Sequence, residues 1–154
     1  MSDLNTLIER LNTVLSWELA GTIQYLHHHA MLLGPERISV AEFFHDGSKE
    51  ARSHAEAVAN KITALGGVPT VEPATIKQAT TLTEMLNASL ELERAALKAW
   101  ESALDAAPAA NQGTTFWIEE MVAHEQEHVD ELVKFTGGLK RASQTQGDTS
   151  TQAG

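Results

Sequence analysis

Apolar residues recur at intervals of three and four through most of the chain. Leu4, Leu7, Ile8, Leu11, Val14 and Leu15 begin the pattern, and Leu19, Ile23 and Leu26 continue it. This spacing predicts one helix from residue 3 to about 33, stopped by Gly34-Pro35. A second helix is expected to start near Ser39, where Ser39-Val40-Ala41-Glu42 fits a capping box, and to end at Gly66-Gly67. A third is expected from the box Thr81-Leu82-Thr83-Glu84 to a point before Pro108, with Met85, Leu86, Leu90, Leu97 and Trp100 on its apolar stripe. A fourth carries Trp117, Ile118, Met121, Val129 and Leu132, and Gly137-Gly138 is expected to close it.

The connections decide the topology. About five residues join the first two helices, so they should pack as an antiparallel hairpin. Val68 to Thr80 holds Pro69 and Pro73, lacks periodicity, and is long enough to run most of a helix length, which lets the third helix start at the opposite end. No strand-like alternation of useful length is present. The expected fold is all-α: a four-helix bundle of two antiparallel hairpins over residues 1–138, followed by a Ser-, Thr- and Gln-rich tail, 139–154, expected to be disordered.

The exceptions to the apolar stripes carry the chemistry. Glu18 and Glu93 fall on core-facing positions of the first and third helices. A carboxylate there must be paired, protonated or metal-bound. The second and fourth helices supply Glu50 with His54, and Glu125 with His128, each pair on one helix face. Glu18 precedes Glu50 by 32 residues, and Glu93 precedes Glu125 by 32. Two hairpins set face to face would bring these six side chains together midway along the bundle. Four carboxylates in one core repel strongly unless cations neutralise them, and two divalent ions would do so.

The chain has no cysteine, so a metal would be held by carboxylate and imidazole, a donor set suited to iron, manganese or zinc. The net charge of −10 makes DNA an unfavourable partner. No apolar run approaches a membrane span, and the N-terminus lacks a secretory pattern, so a cytoplasmic setting is the expectation.

The residues Leu11-Asn12, Leu15, Glu18-Leu19, Gln24-Tyr25, His28, His54-Ala55, Gly67-Val68-Pro69, Glu84-Met85-Leu86, Leu92-Glu93 and Glu125 to His128 with Asp130 together resemble the ferritin-like superfamily. The similarity is to bacterioferritin and to Dps-like mini-ferritins with a bacterioferritin-type site, over about residues 4 to 136. It implies a ferroxidase that binds two irons per subunit, takes O2 or H2O2 as oxidant, and stores iron in a homo-oligomeric shell. The absence of an expected fifth helix favours a dodecamer over a 24-mer. Glu18 and Glu93 would be terminal ligands, His54 and His128 one imidazole per iron, and Glu125 and Glu50 bridges. Tyr25 would bond a ligand carboxylate or supply an electron.

Two positions depart from that pattern. Bacterioferritin has a Glu three residues before the His54 position, where this chain has Ala51 and carries Glu50 one residue earlier. Arg52 stands where a haem-ligating Met is found, so no haem is expected there. Among other residues, Trp100 reads as core packing, and Trp17 and Trp117 as packing or subunit contacts. His27, His28 and His29 read as solvated or interface histidines, and His45 with Asp46 as surface residues for which an iron entry site is the minority alternative. His124-Glu125 to His128 also matches the His-Glu-x-x-His zinc-protease pattern, which leaves Glu18, His54 and Glu93 unexplained.

Overall fold

A computed structural model describes residues 3–151. The helices are α1 (Asp3–Met31), α2 (Arg37–Ala64), α3 (Leu82–Ala106) and α4 (Gln112–Thr151), with a short 3-10 turn at Ala107–Ala109 before α4. α1 packs against α2 and α3, and α3 packs against α4. This is the expected four-helix bundle.

The helix ends follow local chemistry. Leu65 leads into Gly66, whose φ of +84° is the left-handed stop the sequence predicts. Thr81 caps α3, its hydroxyl accepting the Glu84 N–H at 3.2 Å, while Glu84 Oε2 accepts the Thr80 N–H at 3.3 Å. The box expected at Ser39 does not form. Arg37 begins α2 two residues earlier because its guanidinium donates to the last carbonyls of α1, His29 O at 2.6 Å and Leu32 O at 3.0 Å. Ser39 then lies inside the helix and donates to Glu36 O.

The stop expected at Gly137-Gly138 is also corrected. α4 continues through both glycines to Thr151. Gly137 has no positive φ. Glycine in a helix costs only about 0.5–1 kcal/mol relative to alanine, and no proline follows to force an end.

The crossover, residues 67–81, lies along α1. Asn12 donates to Val68 O and accepts the Thr70 N–H, Ser16 O accepts the Ala74 N–H, and Gln24 Oε1 accepts the Lys77 N–H. Gln24 is fully buried, and its amide also donates to Ala88 O on α3 at 3.2 Å. One side chain thus fixes α1, the crossover and α3 in register.

Two apolar clusters fill the bundle. One gathers Leu7, Leu11, Val14, Val58, Ile62, Trp100 and Ile118. The other gathers Tyr25, Leu32, Phe44, Met85, Leu86 and Leu132. On every helix the polar residues singled out above fall at the break between them: Glu18 between Leu15 and Ala20, Glu50 and His54 between Phe44 and Ala55, Glu93 between Leu92 and Ala99, and Glu125 and His128 between Ile118 and Leu132. The seam between α2 and α4 is open, with no Cα pair across it within 8 Å among the described residues. Side chains bridge it, with Phe43 on Phe135 at 5.3 Å between ring centroids and the carboxylates and imidazoles of the site.

Candidate metal centre

Glu18, Glu93 and Glu125 are 4, 9 and 1% exposed, values that rule out hydration as their means of satisfaction. The structure brings them together with both expected histidines. His54 turns Nδ1 toward Glu18 Oε2 at 3.4 Å and Glu125 Oε1 at 3.5 Å. His128 turns Nδ1 toward Glu93 Oε2 at 3.8 Å and Glu125 Oε2 at 3.7 Å. Two triads result, Glu18–His54–Glu125 and Glu93–His128–Glu125, each compact enough to hold one cation. Glu125 belongs to both and gives one oxygen to each. Glu125 Oε2 and His128 Nδ1 are buried without a hydrogen-bond partner, as donor atoms aimed at a cation would be. A cavity of 170 Å³ lies among these groups, and its lining includes the exposed Asp46 and Glu131. Ala51 also lines it, so the position that would carry a bridging Glu in bacterioferritin opens onto the site.

Glu50 lines the same cavity and meets the other ring nitrogen of His128. It accepts from His128 Nε2 at 3.2 Å and from His124 Nε2 at 2.5 Å, and groups with His54 and His124 in a third, half-exposed triad. His124, absent from the expected ligand set, was visible in the sequence only as part of the protease-like motif. Its imidazole and that of His128 both meet Glu50, while Glu125 points inward to the other carboxylates.

Aromatic donors fix Glu18 and Glu93. Tyr25 lies seven residues after Glu18, and Trp100 seven after Glu93. Each reaches across to the other helix. Tyr25 donates its hydroxyl to Glu93 Oε1 at 2.6 Å, and Trp100 donates Nε1–H to Glu18 Oε1 at 3.1 Å. Gly47 gives the Tyr25 ring its place, because a Cβ there would stand 3.0 Å from the ring.

Without metal, protons take the place of cations. Burial pushes the Glu93 carboxyl up to about 8 and raises Glu18, against the pull of His54. Burial opposes charge on His54 and His128, but the surrounding carboxylates outweigh it and push the imidazoles up to about 10 and about 12. Burial would also raise Glu125, yet the two imidazoles hold it below the ordinary carboxylate range. Hydrogen bonding from His128 brings Glu50 down to about 2. Glu50 and Glu125 are then anions opposite two imidazoliums, and Glu93 is protonated at neutral pH. Burial also holds the Tyr25 hydroxyl far above its usual pKa, so it stays a donor.

The remaining candidates divide. Asp46 lies on the cavity lining, and His45 lies beside His29 at 5.3 Å between ring centroids. His28 is not solvated: it is fully buried against Phe44. No described helix is long and apolar enough to cross a membrane.

The bacterial ferritin of Pseudomonas aeruginosa is 38% identical over 87 residues, 56% of this chain and 56% of that protein. The match therefore spans about half of that relative's length. A ferritin-like diiron-carboxylate protein from Bacillus anthracis superposes with a TM-score of 0.84 at 33% identity, covering 88% of this chain and 99% of the other. A dodecameric thioferritin, the bacterioferritin-related protein of Bacteroides fragilis, shares the fold with a TM-score of 0.81 at 24% identity, covering 92% and 90%. The model of the ferritin-like domain matches residues 8–142, and the chain belongs to the ferritin family.

Proposed function

We propose that this chain is a ferroxidase, which oxidises two Fe(II) to Fe(III) between its hairpins and passes the product to storage in an oligomeric shell. Membership of an iron-storage family and a carboxylate–imidazole cluster set the frame. The observation that carries the reading is the pair of triads sharing Glu125. Fe(II) is the substrate, and O2 or H2O2 is the oxidant. Glu18 and His54 hold one ion, Glu93 and His128 the other, and Glu125 joins them. A shared carboxylate keeps two like-charged ions close by placing negative charge between them.

Glu50 acts through the histidines it bonds. With His128 Nε2–H held by Glu50, Nδ1 is left to face the metal, the orienting role that outer-shell carboxylates serve. Tyr25 and Trp100 hold Glu93 and Glu18 in the same sense. Protons on His54, His128 and Glu93 must leave as cations enter. Metal affinity should therefore rise with pH through the neutral range, as calorimetric titration would read.

The direct test is anaerobic titration with Fe(II) followed by oxidant, where about two irons should oxidise per chain, as the paired-site pattern requires. Fast oxidation surviving in both Glu93→Ala and His128→Ala would reject the site. Comparing rates with H2O2 and O2 decides whether peroxide consumption or storage is primary. Metal analysis of the purified protein separates iron turnover from passive zinc binding. We further propose a cytoplasmic homo-oligomer, a dodecamer rather than a 24-mer, which light scattering after size exclusion would decide.

A further inference from the structure

A second cavity, of 220 Å³, lies between α1, the crossover and α3. Trp17 and Leu92 line both this cavity and the one at the metal centre, so two apolar side chains stand between them. Trp17 is half-buried and Leu92 is buried. Gly21 lies against the same leucine, where a methyl group would meet Leu92 Cδ2 at 3.5 Å, so the glycine leaves space beside that side chain. The two cavities differ in charge. The one at the centre carries Asp46, Glu50 and Glu131 besides the buried glutamates. Such a field draws cations in and gives a neutral molecule nothing. The charges of the second cavity are Lys77 and Glu91, which pair with each other on its exposed side. Gln24 is engaged at both ends of its amide, by Ala88 O and the Lys77 N–H, so it offers a guest little hydrogen bonding. A molecule crossing the Trp17–Leu92 wall must give up its hydrogen bonds to water, a heavy cost for a polar species and none for an apolar diatomic gas.

We propose that the cavity beneath the crossover is an entry site for O2, and that Trp17 and Leu92 form the apolar gate through which O2 reaches the centre. The inference rests on the ferroxidase reading above. Fe(II) and H2O2 take the other side, the open α2/α4 seam with its half-exposed Glu50 and His124. No helix has to move for O2 to pass. A single leucine turning beside Gly21 admits a diatomic molecule, and packed side chains do change rotamer. Two routes keep an incoming cation from blocking the oxidant.

The test uses the full-length assembled protein, loaded anaerobically with Fe(II) and mixed in a stopped-flow with limiting O2 or, separately, with H2O2. Ala88→Leu fills the crossover cavity from α3, and Thr75→Trp covers it from the exposed crossover; neither residue lines the cavity at the centre. In both variants the rate with O2 should fall severalfold, while the rate with H2O2 stays at the wild-type value. Xenon, an apolar stand-in for O2, reads the cavity without iron. In crystals of the metal-free protein pressurised with xenon, the wild type should hold a xenon atom against Leu92, and Ala88→Leu should hold none. Wild-type O2 rates in both variants, an equal fall with both oxidants, or no xenon in the wild-type cavity overturns the route. Should Ala88→Leu fail to fold, Thr75→Trp decides alone, because Thr75 is exposed. Unaltered O2 rates beside normal H2O2 oxidation remove the route only, whereas a wild type that oxidises Fe(II) with neither oxidant removes the ferroxidase reading and the route with it.

Discussion

The α1/α3 seam and the α2/α4 seam meet at the same cluster and are built in opposite ways. α1 and α3 touch closely, and four side-chain hydrogen bonds cross between them: Arg10 to Ser102 O, Gln24 to Ala88 O, Tyr25 to Glu93, and Trp100 to Glu18. α2 and α4 stay further apart, and imidazole–carboxylate pairs span much of the gap. The closed seam delivers buried, pre-oriented carboxylates. The open seam delivers histidines and leaves the half-exposed Glu50 and His124 at its surface. On the proposed ferroxidase reading, a centre that admits ions and releases product needs one rigid wall and one that can yield, and the two seams suit these separate duties.

The strongest way to break this comparison is Glu125→Ala, because Glu125 serves both triads. Losing a shared ligand should weaken binding of both ions by more than the roughly 10–100-fold typical of outer-shell changes, and fast oxidation should disappear. Calorimetry with Zn(II), followed by stopped-flow oxidation of Fe(II), reads both. Retention of two tight sites would show that the triads are not the metal sites.

Glu50→Ala tests the open seam alone. Removing the acceptor of His128 and His124 should lower affinity by about 10–100-fold while leaving the Glu18–His54 triad as it is. The expected outcome is unequal: one site weakens far more than the other in the same titration. Equal weakening of both would mean that Glu50 is itself a bridge, the role the bacterioferritin-like pattern implies.

How much of this was legible in the sequence divides along the same line. The helices, the crossover and the convergence of Glu18, His54, Glu93, Glu125 and His128 could be read from periodicity and from the equal 32-residue intervals, because both depend on helix geometry alone. The pairing of Glu50 with His124 could not. It depends on how far α2 stands from α4, which no single helix encodes. The seven-residue offsets of Tyr25 and Trp100 placed them on the inner face but could not show that each bonds the other helix's glutamate. The start of α2 moved because Arg37 found acceptors on α1, and the end of α4 moved because two glycines without a following proline do not stop a helix.

Tyr25→Phe tests the closed seam. It deletes a buried bond to Glu93 and should destabilise the metal-free protein by about 1–3 kcal/mol in urea unfolding. Gly47→Ala should act in the same direction, since its methyl group would press on the Tyr25 ring at 3.0 Å. The closed-seam reading requires that adding Gly47→Ala to Tyr25→Phe costs something other than the sum of the two changes. Strict additivity would show that Gly47 does not act through Tyr25.

The smallest expected effect comes from His28, which differs in sign from the histidines of the centre. His54 and His128 face carboxylates and are pushed up; His28 faces Phe44, and burial brings it down to about 4 from 6.5. The unfolded chain takes up a proton near 6.5, while the folded one resists until about 4. Folding stability should therefore fall as pH drops through that window, by at most about 1.4 kcal/mol per pH unit. Glu50, at about 2, contributes stability that is lost only as pH falls below its ordinary 4.5, so the range from 4.5 to 6.5 isolates His28 from it. Urea midpoints of the metal-free wild type and His28→Phe, compared at the two ends of that range, should show a steeper loss for the wild type. Equal slopes would mean that this imidazole gains its proton without cost, and that burial against Phe44 does not govern it.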